Sequence, residues 1–300
     1  MVRKSITLLA IACLLLGFIC CKEGTGGRMP SSTGQPYEVV LEGDTDSILT
    51  KVLTEDVPAL PQPEPMFNII QVKKGKAKGS YLMVRTRIIV DVDSRNKGYA
   101  VERNKDVNAS PQTVLHIKAQ STEQLKNKLD GEKLRVLIDK EELRHLASVI
   151  QQNPEKQREV KQLFGIDMKI SASMNASKKG KDFRWYSNNA IAGMQNLLIF
   201  KVRIFPHIPQ AMLKSKIDSV LRKNIPGETD GMYMQLTNLG ERGLWEMKGD
   251  AMGGPYVMRT IHSTTGDDTI IVIGFVYAPE MKKRNLIKQL EATLLTIHKK

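Results

Sequence analysis

Leu197-Leu198-Ile199-Phe200-Lys201-Val202-Arg203-Ile204-Phe205, with Pro209 four residues further on, is the stretch from which the fold is read. Its run of Leu, Ile, Val and Phe marks a strand. Pro209 suits the first turn of a helix, where no backbone N–H is needed. Leu213, Ile217, Val220 and Leu221 follow as the apolar stripe of that helix, and Ile225-Pro226-Gly227 ends it. Met232–Thr237, Tyr256–Ile261 and Thr269–Tyr277 then read as strands. A closing helix from Glu280 carries Leu286, Leu290, Leu294 and Ile297 at helical spacing.

The same succession occurs nearer the N-terminus. Tyr37–Glu42 reads as a strand, and Ile48, Leu49, Val52 and Leu53 share one face of a helix over Asp46–Val57, with Asp44 or Thr45 as its cap. Leu60-Pro61-Gln62-Pro63-Glu64-Pro65 cannot continue that helix, because proline lacks the N–H and holds its predecessor extended. Strands are expected at Phe67–Val72, Val84–Val92 and Thr113–Ala119, and a helix opening at Ser121 or Thr122 turns Leu125 and Leu129 inward. Val40 precedes Leu125 by 85 residues and Val202 precedes Leu286 by 84. Two readings fit: a duplicated β-α-β-β-β-α unit with halves 37–130 and 196–298, or two unrelated segments. Between them, 131–195 holds a polar helical stretch, Glu132–Phe164, broken near Asn153-Pro154. A hairpin of Ile166–Met174 and Phe183–Tyr186 follows, joined by the Lys/Gly loop 175–181. Many β runs among few helices favour an α+β fold with mainly antiparallel sheets and packed helices, formed by 37–300 as a single unit.

The 300 residues contain 41% hydrophobic and 26% charged side chains, which describes a globular protein and excludes a disordered or multi-span membrane chain. Lys and Arg number 45 against 32 Asp and Glu, a net charge of +13. Cys13, Cys20 and Cys21 all lie in the first 21 residues, so the rest has no disulfide framework. Arg3 and Lys4 precede an apolar run, Ile6 to Ile19, of 14 residues. A membrane span needs about 20, whereas a basic start and a run of ~7–15 apolar residues describe an export signal.

Leu16-Gly17-Phe18-Ile19-Cys20-Cys21 resembles the lipobox of bacterial lipoproteins, in which the cysteine after the cut is acylated. Cleavage before Cys21 satisfies the need for a small preceding residue, so 1–20 is the expected signal peptide and Cys21 the lipidation site. Cys20 is the alternative. Acyl chains at ~0.8 kcal/mol per buried CH₂ give a stable anchor once two are present. Residues 21–36, dominated by Gly, Ser and Pro, form the expected flexible tether.

The chemistry-bearing residues are sparse. His116, His145, His207, His262 and His298 are never closer than 29 residues apart, and there is no Gly-x-Ser-x-Gly. Gly249-Asp250-Ala251-Met252-Gly253-Gly254-Pro255 lacks the Lys-Ser/Thr of a phosphate loop. No catalytic set, metal site or cofactor is therefore expected. The segment 241–256 is the candidate binding segment, through Glu241, Trp245, Glu246, Asp250, Met252 and Tyr256: glycines allow close approach, while Trp and Met give adaptable contacts. The competing reading is a twisted hairpin whose Trp plugs the core. Basic loops at 73–79, 178–181 and 282–284, with Lys299-Lys300, read either as a solvated surface or as a site for an anionic envelope glycan or lipid headgroup, and a protein is the further candidate partner. Nucleic acid is not expected, because no aromatic residues are interleaved with the lysines.

Ser31-Ser32-Thr33-Gly34-Gln35-Pro36-Tyr37-Glu38-Val39, Leu60-Pro61-Gln62-Pro63-Glu64-Pro65-Met66-Phe67, Asp182-Phe183-Arg184-Trp185, Arg242-Gly243-Leu244-Trp245-Glu246, Met252-Gly253-Gly254-Pro255-Tyr256 and Gly274-Phe275-Val276-Tyr277-Ala278-Pro279 together resemble an uncharacterised envelope lipoprotein family of Bacteroides-type bacteria, a domain of unknown function. The resemblance implies a lipid-anchored protein of the cell envelope, at the outer membrane, and assigns no catalytic residue. Lys22-Glu23 is a weak form of the acidic signal for surface display, so periplasmic and surface facing both remain open. The expected role is a non-catalytic binding or accessory module. The alternative is a hydrolase of envelope glycan or lipid using Glu241, Glu246 or Asp250 as paired acids.

Overall fold

Residues 29–204, 208–262 and 268–299 are described by the computed structural model; the expected signal peptide, Cys20 and Cys21 lie outside the described residues. The chain first runs along the N-terminal sheet, where Ser31 bridges Ser110 and Thr33 bridges Val84. Ser110 N–H donates to Pro30 O at 2.9 Å and Thr33 N–H to Met83 O at 2.9 Å, so this part of the expected tether belongs to the folded body. Composition alone could not show that these backbone groups find partners.

The first sheet is built from β1 (Glu38–Glu42), β2 (Asn68–Val72), β3 (Thr86–Val92), β4 (Ala100–Lys105) and β5 (Thr113–Ala119) in the order β2-β1-β3-β5-β4. β1 pairs parallel with β2 and β3, β3 pairs parallel with β5, and only β4 is antiparallel. The helices are α1 (Ile48–Leu53), a short α2 (Ser80–Met83), α3 (Thr122–Lys128) and α4 (Gly131–Ser148). Asp44 caps α1 by accepting from the backbone N–H groups of Leu49 and Thr50, both at 3.0 Å. Ser121 and Asp130 cap α3 and α4 in the same way. Val39, Leu41, Ile88, Val90, Leu115 and Ile117 point to one face, where Leu49, Leu53, Leu125, Leu134 and Ile138 cover them.

After α4 the chain breaks as expected, and α5 (Pro154–Phe164) opens with Asn153 as cap and Pro154 in its first turn. There follow β6 (Ile166–Asp167), β7 (Ala176–Gly180), β8 (Phe183–Ser187), β9 (Met194–Arg203), α6 (Gln210–Asn224), β10 (Met234–Leu236), β11 (Arg242–Met247), β12 (Gly253–His262), β13 (Asp268–Tyr277), α7 (Arg284–Leu295) and β14 (His298–Lys299). The seven-stranded sheet β10-β11-β12-β13-β9-β8-β7 is antiparallel throughout, and β6 pairs with β14. Leu197, Ile199, Val257, Val272 and Val276 face α5 and α7; Leu198, Phe200, Met258, Ile271 and Ile273 face α6. The fold is α+β, and its strand pairings are mainly antiparallel.

Two expectations are corrected. The halves are not copies of one unit, because the first sheet is mostly parallel and the second wholly antiparallel, with different strand orders. The hairpin partner of β8 is β7, drawn from the Lys/Gly stretch read as a loop, and Ile166–Asp167 pairs with β14 instead. β7 is an exposed edge strand, so it needs no apolar side chains and its lysines discourage further pairing.

Candidate functional site

The candidate segment 241–256 folds into β11, its turn and the start of β12. Trp245 is 4% exposed, its indole N–H donates to Val276 O at 3.0 Å, and its ring meets Phe275 edge-on at 5.3 Å. Opposite it Gly254 is obligatory in size: a Cβ there would lie 2.2 Å from Val276 O. Tyr256 is 1% exposed with its hydroxyl donating to Asn238 O at 2.9 Å, and Met252 is half-buried. Trp245 and Tyr256 are thus core residues, and the expected aromatic contact surface is corrected to hairpin packing. Glu241, Glu246 and Asp250 are exposed. Glu241 lies just before β11 and Glu246 five residues further on within it, roughly 16 Å away at ~3.3 Å per extended residue. Glu246 accepts from Gln235 Nε2 at 2.6 Å, and Asp250 sits in the turn. Glu241 and Glu246 therefore form no acid pair.

What the fold gathers lies where α4 crosses α7. Tyr37 Oη donates to Asp139 Oδ1 at 2.7 Å, and Lys288 Nζ donates to the same oxygen at 2.7 Å. Lys288 also reaches Glu291 at 3.2 Å, and Arg242 pairs with Glu291. Glu142 accepts from Tyr37 N–H at 3.2 Å and from Arg85 Nε at 3.2 Å. Lys288 is 2% exposed, and its ammonium lies 5.5 Å from the centroid of the Tyr37 ring. Asp139, Glu142 and Glu291 balance Arg85, Arg242 and Lys288 in charge. Burial pushes the Tyr37 phenol up, and the Asp139 carboxylate adds to it. Burial also raises Glu142, against the pull of Arg85. A second tie is Glu64, 6% exposed, whose oxygens accept the Lys283 and Arg284 backbone N–H groups at 2.6 and 3.1 Å where α7 begins. Arg284 donates to Pro65 O at 2.7 Å.

Sequence reasoning missed this cluster. The available signal was polar residues beside apolar helical positions: Asp139 next to Ile138, Glu142 next to Leu143, Lys288 next to Ile287. A surface helix gives the same pattern, so only packing distinguishes them.

Beside the network, a polar cleft of about 100 Å³ lies between α4 and the starts of β3 and β5, lined by Arg85, Lys105, Gln112, Glu142 and His145. Burial, then Arg85, lowers His145, and its buried Nδ1 has no partner among the described residues. Both Glu142 oxygens are already engaged, which makes it a structural acid. Among the described residues no group of three or more His, Cys, Asp or Glu is arranged to hold a metal, and no helix is long and apolar enough to cross a membrane.

Comparison with known families divides the chain where the two sheets divide it. Residues 153–296 match a domain of unknown function (DUF4837), and residues 32–151 match a second domain of unknown function (DUF8532). No curated protein and no solved structure matches the chain.

Proposed function

We propose that this chain is a lipid-anchored protein of the bacterial cell envelope, held at the outer membrane through Cys21 and acting as a binding or accessory module rather than as an enzyme. The observation that carries the anchor is the Cys20-Cys21 pair closing a 14-residue apolar run behind Arg3 and Lys4. The resemblance to envelope lipoproteins of Bacteroides-type bacteria supports the same reading. The non-catalytic role is supported by how the desolvated acids are spent. Asp139 and Glu291 face Lys288 and Arg242 in the joint between the two sheets, and Glu142 faces Arg85 beside it.

The test is metabolic labelling with an alkyne fatty acid, combined with membrane fractionation of the wild type and Cys21→Ser. The wild type is expected to carry label and sediment with membranes, and the variant to lose both. Equal labelling of the variant would move the site to Cys20 or remove the anchor.

A further inference from the structure

The face of the second sheet that packs on α6 is not fully covered. Beyond the end of that helix, β7, β8 and the start of β9 leave a cleft of about 320 Å³, lined by Ala176, Lys178, Trp185, Ser187, Asn189 and Met194. Trp185 is the half-buried wall. Its indole N–H donates to Asn196 Oδ1 at 3.0 Å, and its ring rests on Phe275 at 6.4 Å between centroids. The ring is therefore fixed in orientation.

The groups around it are donors. Because the indole N–H claims the Asn196 carbonyl oxygen, the Asn196 amide nitrogen is left buried without a partner. Asn196 is 1% exposed and is the cross-strand partner of Ser187, which is 8% exposed. The Ser187 hydroxyl accepts from Asn189 N–H at 3.0 Å, and its own proton has no acceptor among the described residues. Lys178 gives one hydrogen bond to Asn224 O at 2.7 Å at the end of α6, with further N–H groups to spare. No carboxylate lines the cleft. A buried donor left unpaired is costly, and here the Asn196 amide lies beside the Ser187 hydroxyl at an aromatic wall with a cation on the rim.

We propose that this cleft binds an acidic saccharide, with a sugar ring laid on Trp185 and its oxygens and carboxylate taken by Ser187, Asn189 and Lys178. A ring with an apolar face and acceptors at its edge matches an aromatic wall with donors around it. An acyl chain would leave the donors unpaired. The excess of Lys and Arg over Asp and Glu draws an anion toward the protein. This assignment rests on the binding-module reading and names its ligand class.

The experiment follows tryptophan emission of the purified full chain in detergent micelles, titrated with a hyaluronan tetrasaccharide, with tetragalacturonate and with uncharged chitotetraose. The chain has two tryptophans, and Trp245 is buried, so Trp185 is the reporter. A saturable change with at least one uronate saccharide is expected, weakened about tenfold by Asn189→Gly, which keeps the left-handed backbone of that position (φ 49), and by Lys178→Met. Both variants should unfold at the wild-type temperature, and Trp185→Phe should remove the signal. No saturable change with either uronate, or a change that survives these variants, overturns the proposal. Equal affinity for chitotetraose overturns the acidic ligand class. The fatty-acid label reads the anchor separately, so the two ideas fail independently.

Discussion

In the first sheet β1 lies between β2 and β3 and runs parallel to both; in the second, β9 lies between β8 and β13 and runs antiparallel to both. The two regions share a succession of strands and helices, yet their connections differ. Residues 43–67 separate β1 from β2, 43–85 separate β1 from β3 and 93–112 separate β3 from β5, each long enough for the crossover that parallel neighbours require. In the second sheet few residues separate β7, β8 and β9 from one another, and likewise β10 to β13, and short connections give antiparallel neighbours. The lesson is that the order of elements does not set topology; the length of each connection constrains it. The two dissimilar sheets then meet through α4 and α7, which close them and carry the buried charges.

The largest effect is expected at that joint. Lys288→Ala leaves Asp139 and Glu291 facing fewer cations in a buried site, and should cost about 3–5 kcal/mol by urea unfolding. The double variant Lys288→Met/Asp139→Leu should recover much of that loss, since apolar replacement of a buried pair is often neutral. A double variant no more stable than Lys288→Ala would show that the joint works by another means.

The cores of the two sheets can be weighed against each other. Trp245→Ala in the second should cost about 3–5 kcal/mol and Leu115→Ala in the first about 2–5. Both should lower a single thermal transition. If Trp245→Ala left the melting temperature unchanged, the indole would not be the plug that its 4% exposure indicates. Ser121→Ala, which removes the oxygen accepting from Gln124 N–H at 3.1 Å, should cost about 1 kcal/mol and no more.

The smallest effect is on pH. His145 is held below its ordinary 6.5, so the unfolded chain takes up the proton first as pH falls. Its contribution is present above that value and is lost as pH falls through the native one. Glu142, raised by burial, has the opposite sign: its contribution is full below its ordinary 4.5 and is lost as pH rises through the folded value. Melting temperature measured between pH 7 and pH 5 should therefore fall less steeply in His145→Gln than in the wild type. Identical slopes would contradict the assignment.

Much of the fold is legible in the sequence where apolar residues mark it. β9 and β13 are nearly continuous apolar runs, and α7 carries Ile287, Leu290 and Leu294 inward. Strands without that mark are silent: β4 is exposed along its whole length, and β7 reads Ala-Ser-Lys-Lys-Gly. The candidate segment 241–256 was visible because glycines and aromatics are dense there. The same composition serves a tight hairpin, where Gly254 makes room for Trp245, and sequence cannot separate the two uses. The charged joint was hidden because its members come from positions as distant as Tyr37, Asp139 and Lys288.

Two unlike sheets form one cooperative body through the α4–α7 joint. Differential scanning calorimetry of the full chain tests it most directly. A single transition is predicted, with calorimetric and van't Hoff enthalpies equal, that moves as a whole in Lys288→Ala. Two separate transitions in the wild type, one for each sheet, would contradict it.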